Sequence, residues 1–112
     1  MTDPRPTRRT ALLAVTALAA APAFPAMAQA RTHTIVMDRM AFGPTPAGIR
    51  VGDTILWVNR DAFRHTATAR NGSFEVDLAR GESGRTVMRT AGTFAYWCRF
   101  HPAMTGQVTV AR

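Results

Sequence analysis

The sequence has no lysine and a single cysteine, and each shortage narrows the possible functions. All 14 basic residues are arginines, and beyond residue 30 they are scattered singly, with no basic run and no interleaved aromatic residues. This spacing gives little support to nucleic-acid binding, which uses clustered positive charge. Because Cys98 has no second cysteine to pair with, a disulfide within the chain is excluded.

A long apolar run is also missing. The apolar stretch at residues 11–21 ends at Pro22, short of the roughly 18 residues that a membrane-spanning helix needs. A basic segment that contains Arg8-Arg9 precedes this stretch, and small residues at alternating positions follow it in residues 26–30. This order is typical of a secretory signal peptide.

We therefore predict that residues 1–30 are a signal peptide, cleaved after Ala28 or Ala30, and that residues 31–112 form a periplasmic domain without a membrane span. The pair Arg8-Arg9 fits a twin-arginine signal only loosely, so Sec and twin-arginine export both stay open.

Cleavage after Ala30 would leave 82 residues with a net charge of +5, from 11 arginines and 6 acidic residues. A domain of this size has a modest core and usually gains from a disulfide or a metal ion. A free thiol is unusual in an oxidising compartment, and a metal bound to the Cys98 sulfur would explain it. The alternative is a buried, inert cysteine.

The predicted domain consists of short β-rich segments separated by turn residues, and no segment has a sustained helical period. This pattern predicts an all-β sandwich or barrel of seven or eight strands. The segments are residues 32–37, 49–51, 54–58, 65–69, 74–78, 85–90, 93–98 and 107–110.

The motif C-x-x-H-P-x-M places three metal donors within seven residues: Cys98, His101 and Met104. A fourth candidate donor, His65, follows the strand that ends near residue 58. Two imidazoles, a thiolate and a weak thioether together suit both Cu(I) and Cu(II). Zinc is the competing ion, but a methionine ligand argues against a dedicated zinc site.

Three stretches of the chain resemble the cupredoxins, in particular the amicyanin and plastocyanin branch of the type 1 blue copper proteins. They are Val51-Gly52-Asp53-Thr54, residues 57–65 (WVNRDAFRH) and residues 91–98 (AGTFAYWC). The last stretch leads into residues 98–104, the donor loop, which carries Cys98, His101 and Met104.

The resemblance implies a Greek-key β-sandwich with one mononuclear type 1 copper ion near one end. It assigns His65, Cys98 and His101 as equatorial ligands and Met104 as the axial ligand. The short spacing between His101 and Met104 is similar to that of amicyanin.

Two positions differ from the usual pattern of this family. Asn often follows the first histidine and Ser or Thr often follows the cysteine, where they join the two ligand loops. Here these residues are Thr66 and Arg99. We expect the backbone N–H of Thr66 to donate to the Cys98 sulfur, and the side-chain link between the loops to be lost.

The resemblance implies an exported, monomeric electron carrier rather than an enzyme. Its redox partner, a cytochrome c or a dehydrogenase, would make weak transient contact near His101, at an apolar rim. Arg64 and Arg99 would add positive charge there and favour an acidic partner. Two alternatives stay open: a copper carrier that hands on the metal, and a dedicated electron acceptor of an amine dehydrogenase. The residues of the apolar rim around His101 are Phe63, Phe100, Pro102 and Ala103.

His33 has no partner at metal-ligand spacing in the sequence and is expected at the surface.

Overall fold

The structure is a computed structural model that describes residues 29–112. Its strands follow the alternation of apolar and polar side chains in the sequence. Along the strand Thr54–Asn59, for example, residues 55, 57 and 59 are buried and their neighbours are half-buried. This alternation is expected where one face of a sheet covers a core. Residues 1–28 of the predicted signal peptide lie outside the described residues.

The described residues form nine strands and no helix, so none of them forms a helix long and apolar enough to cross a membrane. The strands are β1 (Thr32–Asp38), β2 (Ala41–Phe42), β3 (Ile49–Arg50), β4 (Thr54–Asn59), β5 (His65–Ala69), β6 (Glu75–Leu78), β7 (Ser83–Val87), β8 (Gly92–Trp97) and β9 (Thr105–Ala111).

The strands pair into two sheets, with the orders β2-β1-β4-β7 and β3-β9-β8-β5-β6. The pairs β1·β4 and β3·β9 are parallel and the other pairs are antiparallel. The predicted all-β sandwich is therefore confirmed. The nine strands exceed the predicted seven or eight because of β2. This strand has only two residues and stands beside turn residues, so its segment was predicted to be a loop.

The two sheets bury an apolar layer that contains Trp57 and Tyr96, whose ring centroids lie 5.0 Å apart in an edge-to-face arrangement. Phe94, Tyr96 and Cys98 are buried in alternation along β8 and the residue that follows it. The core thus extends to one end of β8, where the chain enters the donor loop.

Candidate metal centre

Three of the predicted donors meet at one end of the sandwich. Cys98 directly follows β8, and His65 is the first residue of β5, which is antiparallel to β8. The His65 Nδ1 and His101 Nδ1 atoms are 3.2 Å apart, and the Cys98 sulfur lies 3.8 Å from the first and 3.6 Å from the second. A point equidistant from the three donors is about 2.1 Å from each, within the roughly 2.0–2.3 Å typical of metal bonds to imidazole nitrogen and thiolate sulfur. The donor triangle therefore fits a single transition-metal ion.

Met104 closes the same loop and precedes β9. The Cys98 N–H donates to the Met104 carbonyl at 3.0 Å, and the Met104 N–H donates to the His101 carbonyl at 2.8 Å. Its side chain belongs to the buried core, with 3% of the residue exposed. The loop between Cys98 and Met104 is thus closed on itself by backbone hydrogen bonds.

Thr66, next to His65, connects that donor to the loop of residues 98–104 through both its backbone and its side chain. Its N–H donates to the Cys98 sulfur at 3.3 Å, as expected. Its hydroxyl oxygen accepts the backbone N–H of Arg99 at 2.8 Å. The expectation that the side-chain link is lost was therefore wrong, because a fully buried threonine replaces asparagine as the acceptor.

Comparisons with known proteins agree with this geometry. A family model described as a cupredoxin-like domain matches residues 9–110, which is most of the chain. This chain belongs to the cupredoxin-like family. The match begins inside the segment that we predicted to be a signal peptide.

Individual relatives include amicyanin from Paracoccus denitrificans, 31% identical over 93 residues that cover 76% of this chain and 71% of that protein. Plastocyanin from Scenedesmus fuscus is 35% identical over 85 residues, covering 63% of this chain and 87% of that protein. Among solved structures, a novel purple cupredoxin from Nitrosopumilus maritimus superposes with a TM-score of 0.62 at 27% identity, over 70% of this chain and 99% of that one. The predicted cupredoxin family and the predicted copper cofactor are confirmed.

Asp61 is a site residue of this cupredoxin that sequence reasoning missed. Its Oδ2 accepts hydrogen bonds from His65 Nε2 and from the backbone N–H of Met40, both at 2.8 Å. The hydrogen bond from His65 is the largest cause that lowers the pKa of Asp61. Because Nε2 carries the proton donated to Asp61, the Nδ1 lone pair of a neutral His65 faces the donor triangle.

Asp61 is itself held by two neighbouring turns. Its N–H donates to Asn59 Oδ1 at 2.9 Å, and the Asn59 amide group donates to the carbonyl of Phe63 at 2.8 Å. Arg39 and Met40 form the β1–β2 turn with positive φ angles of 52° and 60°, a conformation uncommon for non-glycine residues. That turn aims the Met40 N–H at the Asp61 carboxylate.

The arginines beside the donors are both paired with acidic residues of β6. Arg64 Nε lies 2.8 Å from Asp77 Oδ1, and Arg99 contacts both carboxylate oxygens of Glu75 at 2.8 and 3.0 Å. The hydrogen bonds from these arginines lower the pKa of Asp77 and of Glu75. The expectation that Arg64 and Arg99 add net positive charge to the rim was therefore wrong, since each guanidinium is paired with a carboxylate.

The apolar rim predicted around His101 is present. Phe63 is 55% exposed and Phe100 is 47% exposed, whereas His101 is half-buried between them and the site. The ring centroids of Phe63 and His101 are 6.1 Å apart. Pro102 and Ala103, which directly follow His101, are also exposed.

Proposed function

We propose that residues 31–112 form an exported, periplasmic electron carrier that holds one type 1 copper ion. His65, Cys98 and His101 would be its equatorial ligands and Met104 its axial ligand. The observation that carries this proposal is the donor triangle with edges of 3.2–3.8 Å. Copper bound there supplies a one-electron couple between Cu(I) and Cu(II).

Hydrogen bonds from neighbouring residues hold the Cys98 and His65 side chains in place. The Thr66 N–H donates to the Cys98 sulfur at 3.3 Å and fixes its direction. Asp61 orients the His65 ring through Nε2. Because these contacts are buried and linked to strands, the donor positions change little with the charge of the site, and a small change in geometry favours fast electron transfer.

Electrons would enter and leave at the exposed rim beside His101. Phe63 and Phe100 offer an apolar contact surface, and the neighbouring arginines are neutralised by β6. A small apolar contact supports brief encounters with a redox partner such as a cytochrome c or a dehydrogenase. Because the apolar contact surface is small, we expect the protein to be a monomer in solution. Because the neighbouring arginines are paired with carboxylates, we expect the rate of electron transfer to depend only weakly on ionic strength.

The two alternative functions make different demands on the site. A copper carrier needs an exposed site that releases its metal, whereas His65 and Cys98 are fully buried and Met104 is 3% exposed. Burial of three donors favours retention of the ion. A dedicated acceptor of an amine dehydrogenase would keep the same site, and would differ by transferring electrons much faster with that enzyme than with a cytochrome c.

The test is to add Cu(II) to the purified protein and to record its visible spectrum and voltammogram. We expect an intense thiolate-to-copper absorption band and a reversible one-electron wave. Cys98→Ala should abolish the band, and Met104→Leu should shift the potential. Met88→Leu is the matched control, because Met88 is also 3% exposed but its backbone pairs with Gly52 and Asp53, at the other end of the sandwich, so both signals should stay unchanged. A protein that binds only zinc, or a Cys98→Ala variant with an unchanged spectrum, would contradict the proposal.

A further inference from the structure

Asp53 is a buried carboxylate at the end of the sandwich opposite the donor triangle, since it precedes β4 while Asp61 and His65 follow that strand. It is 3% exposed. Its Oδ1 accepts the backbone N–H of Arg31 at 2.9 Å. Its Oδ2 accepts His33 Nε2 at 2.8 Å and the backbone N–H of Arg50 at 2.9 Å. The expectation that His33 lies at the surface was therefore wrong, since its side chain is only 12% exposed and is hydrogen-bonded to Asp53.

The hydrogen bond from Arg31 is the largest single influence on this carboxylate. Together with the other donors it lowers the pKa of Asp53 from 3.8 to about 2. Two of the three donors are neutral backbone groups, and the third is an imidazole that is charged only when protonated. These hydrogen bonds stabilise the ionised carboxylate, but neutral donors do not balance its negative charge as a neighbouring cation would.

Arg31 is also the residue at which the chain first joins the sheet. Its carbonyl accepts the N–H of Thr54 at 2.9 Å, and Thr32 begins the ladder between β1 and β4. The two described residues before it, Gln29 and Ala30, are exposed. The nitrogen that faces Asp53 thus belongs to the peptide bond at one of the two predicted cleavage positions.

We infer that the exported chain is processed between Ala30 and Arg31, and that the new α-ammonium group of Arg31 pairs with Asp53. In this step a signal peptidase adds water across the peptide bond. The hydroxyl goes to the Ala30 carbonyl carbon, the hydrogen goes to the Arg31 nitrogen, and the freed amine takes up a proton from water. Processing thereby gives the buried carboxylate the positive countercharge that the precursor lacks.

The alternative cleavage, after Ala28, would not supply this charge. It leaves Gln29 and Ala30 in place, so the nitrogen facing Asp53 stays a neutral peptide N–H. The ammonium would lie about 7 Å of extended chain away, in an exposed segment. The inference rests on the proposed export of the chain and is independent of the proposed copper ligands.

The first experiment reads the N-terminus of the protein after export by a bacterial host. Intact mass and N-terminal sequencing should show Arg31 as the first residue. A chain that begins at Gln29, or at any residue other than Arg31, would overturn the inference.

The second experiment compares the thermal stability of three purified chains at neutral pH. One begins with a free Arg31 amine, one is the same chain acetylated at Arg31, and one begins at Gln29. The acetylated chain keeps the N–H donor and removes only the charge, so it is the matched control. We expect the free amine to raise Tm by on the order of 5 °C over the other two. Equal Tm values for the free and acetylated chains would overturn the pairing.

Asp53→Asn should abolish the difference between the free and acetylated chains. Should that variant fail to fold, the pKa of the Arg31 amine can be measured by NMR in the unchanged protein. This amine faces Oδ1 of Asp53, and the other groups on the same carboxylate are His33 and the backbone N–H of Arg50, both at Oδ2. We expect a pKa above the usual value of about 7.7–8.0. A value at or below that range would contradict the pairing.

The Cu(II) spectrum of the same chains separates this inference from the proposed function. If copper binding fails in every chain while the Tm difference remains, the fault lies with the ligand assignment. If all three chains turn blue and melt at the same temperature, the pairing with Asp53 is wrong.

Discussion

Replacement of Asp61 by asparagine tests how a carboxylate outside the donor triangle controls the site. The new side chain would keep the shape of the old one and an oxygen that accepts the His65 Nε2 proton, and it would remove one negative charge. The parent carboxylate is held by hydrogen bonds from His65, Met40 and Ala62. A negative charge at this position stabilises the more positive Cu(II) state, so its loss should raise the reduction potential.

The size of the effect follows from the geometry. Through the His65 ring, Asp61 Oδ2 lies about 7 Å from the centre of the donor triangle, so at an effective dielectric constant of about 20 a unit charge contributes roughly 2.4 kcal/mol. A one-electron couple moves by about 59 mV for each 1.4 kcal/mol, so we expect Asp61→Asn to raise the potential by on the order of 100 mV.

Voltammetry of the copper-loaded variants measures this shift, and two controls separate charge from position. Asp61→Glu keeps the charge and should stay within about 30 mV of the parent. Asp38→Asn removes the charge of an exposed carboxylate that accepts only the N–H of Arg39, and water and salt should screen its effect. An Asp61→Asn protein that stays blue with an unchanged potential would refute the electrostatic argument.

Three further predictions concern stability. Thr66→Val leaves the part-buried N–H of Arg99 without its acceptor, and should lower the unfolding free energy by about 1–3 kcal/mol in urea titrations; an unchanged midpoint would contradict the link between the loops. Gly106→Ala would place a methyl group against the Tyr96 ring and should cost about 1–3 kcal/mol by overpacking, whereas Gly81→Ala, a control with open space, should show only the cost of its positive φ. The stability that Asp53 contributes is complete above about pH 4 and is lost as the pH falls toward 2, since its pKa is lowered from 3.8 to about 2. Asp53→Asn should therefore lose roughly 2–3 kcal/mol at pH 7 and flatten the acid dependence of unfolding; a slope equal to that of the parent would refute this.

Most of the fold could be predicted from the sequence because the strands follow period-two alternation. The segments predicted around residues 54–58, 65–69 and 93–98 coincide with β4, β5 and β8 to within one residue. The strand β2 could not be predicted, since two residues are too few to show a period and the turns beside them dominate the pattern. The pairing order of the sheets also depends on contacts between distant residues, which local patterning does not encode.

The proximity of His65, Cys98 and His101 was predictable for a different reason. Cys98, His101 and Met104 share one short motif, so their spacing alone indicated a common site. His65 was a fourth candidate donor, and the family resemblance assigned it as a ligand. Asp61 had no such signal, because a carboxylate four residues before a histidine is ordinary in a loop. Its role depends on burial and on the direction of Nε2, which only the folded β1–β2 and β4–β5 turns determine.

The charge of the rim was mispredicted because the acidic partners lie far along the chain. Arg64 is 13 residues from Asp77, and Arg99 is 24 residues from Glu75, so neither pair is visible as a local pattern. The pairing of β5 with β6 brings both carboxylates to the outer face beside the donor loops.

The link between the donor loops shows how a change of residue type can preserve a contact. Thr66 accepts the backbone N–H of Arg99, so the link does not use the side chain at position 99. That side chain is free to pair with Glu75 and adds a second, exposed connection to β6. Since the buried contact depends on Thr66 and the exposed one is solvated, position 99 can vary among polar residues with little effect on the donors, whereas position 66 needs a hydrogen-bond acceptor.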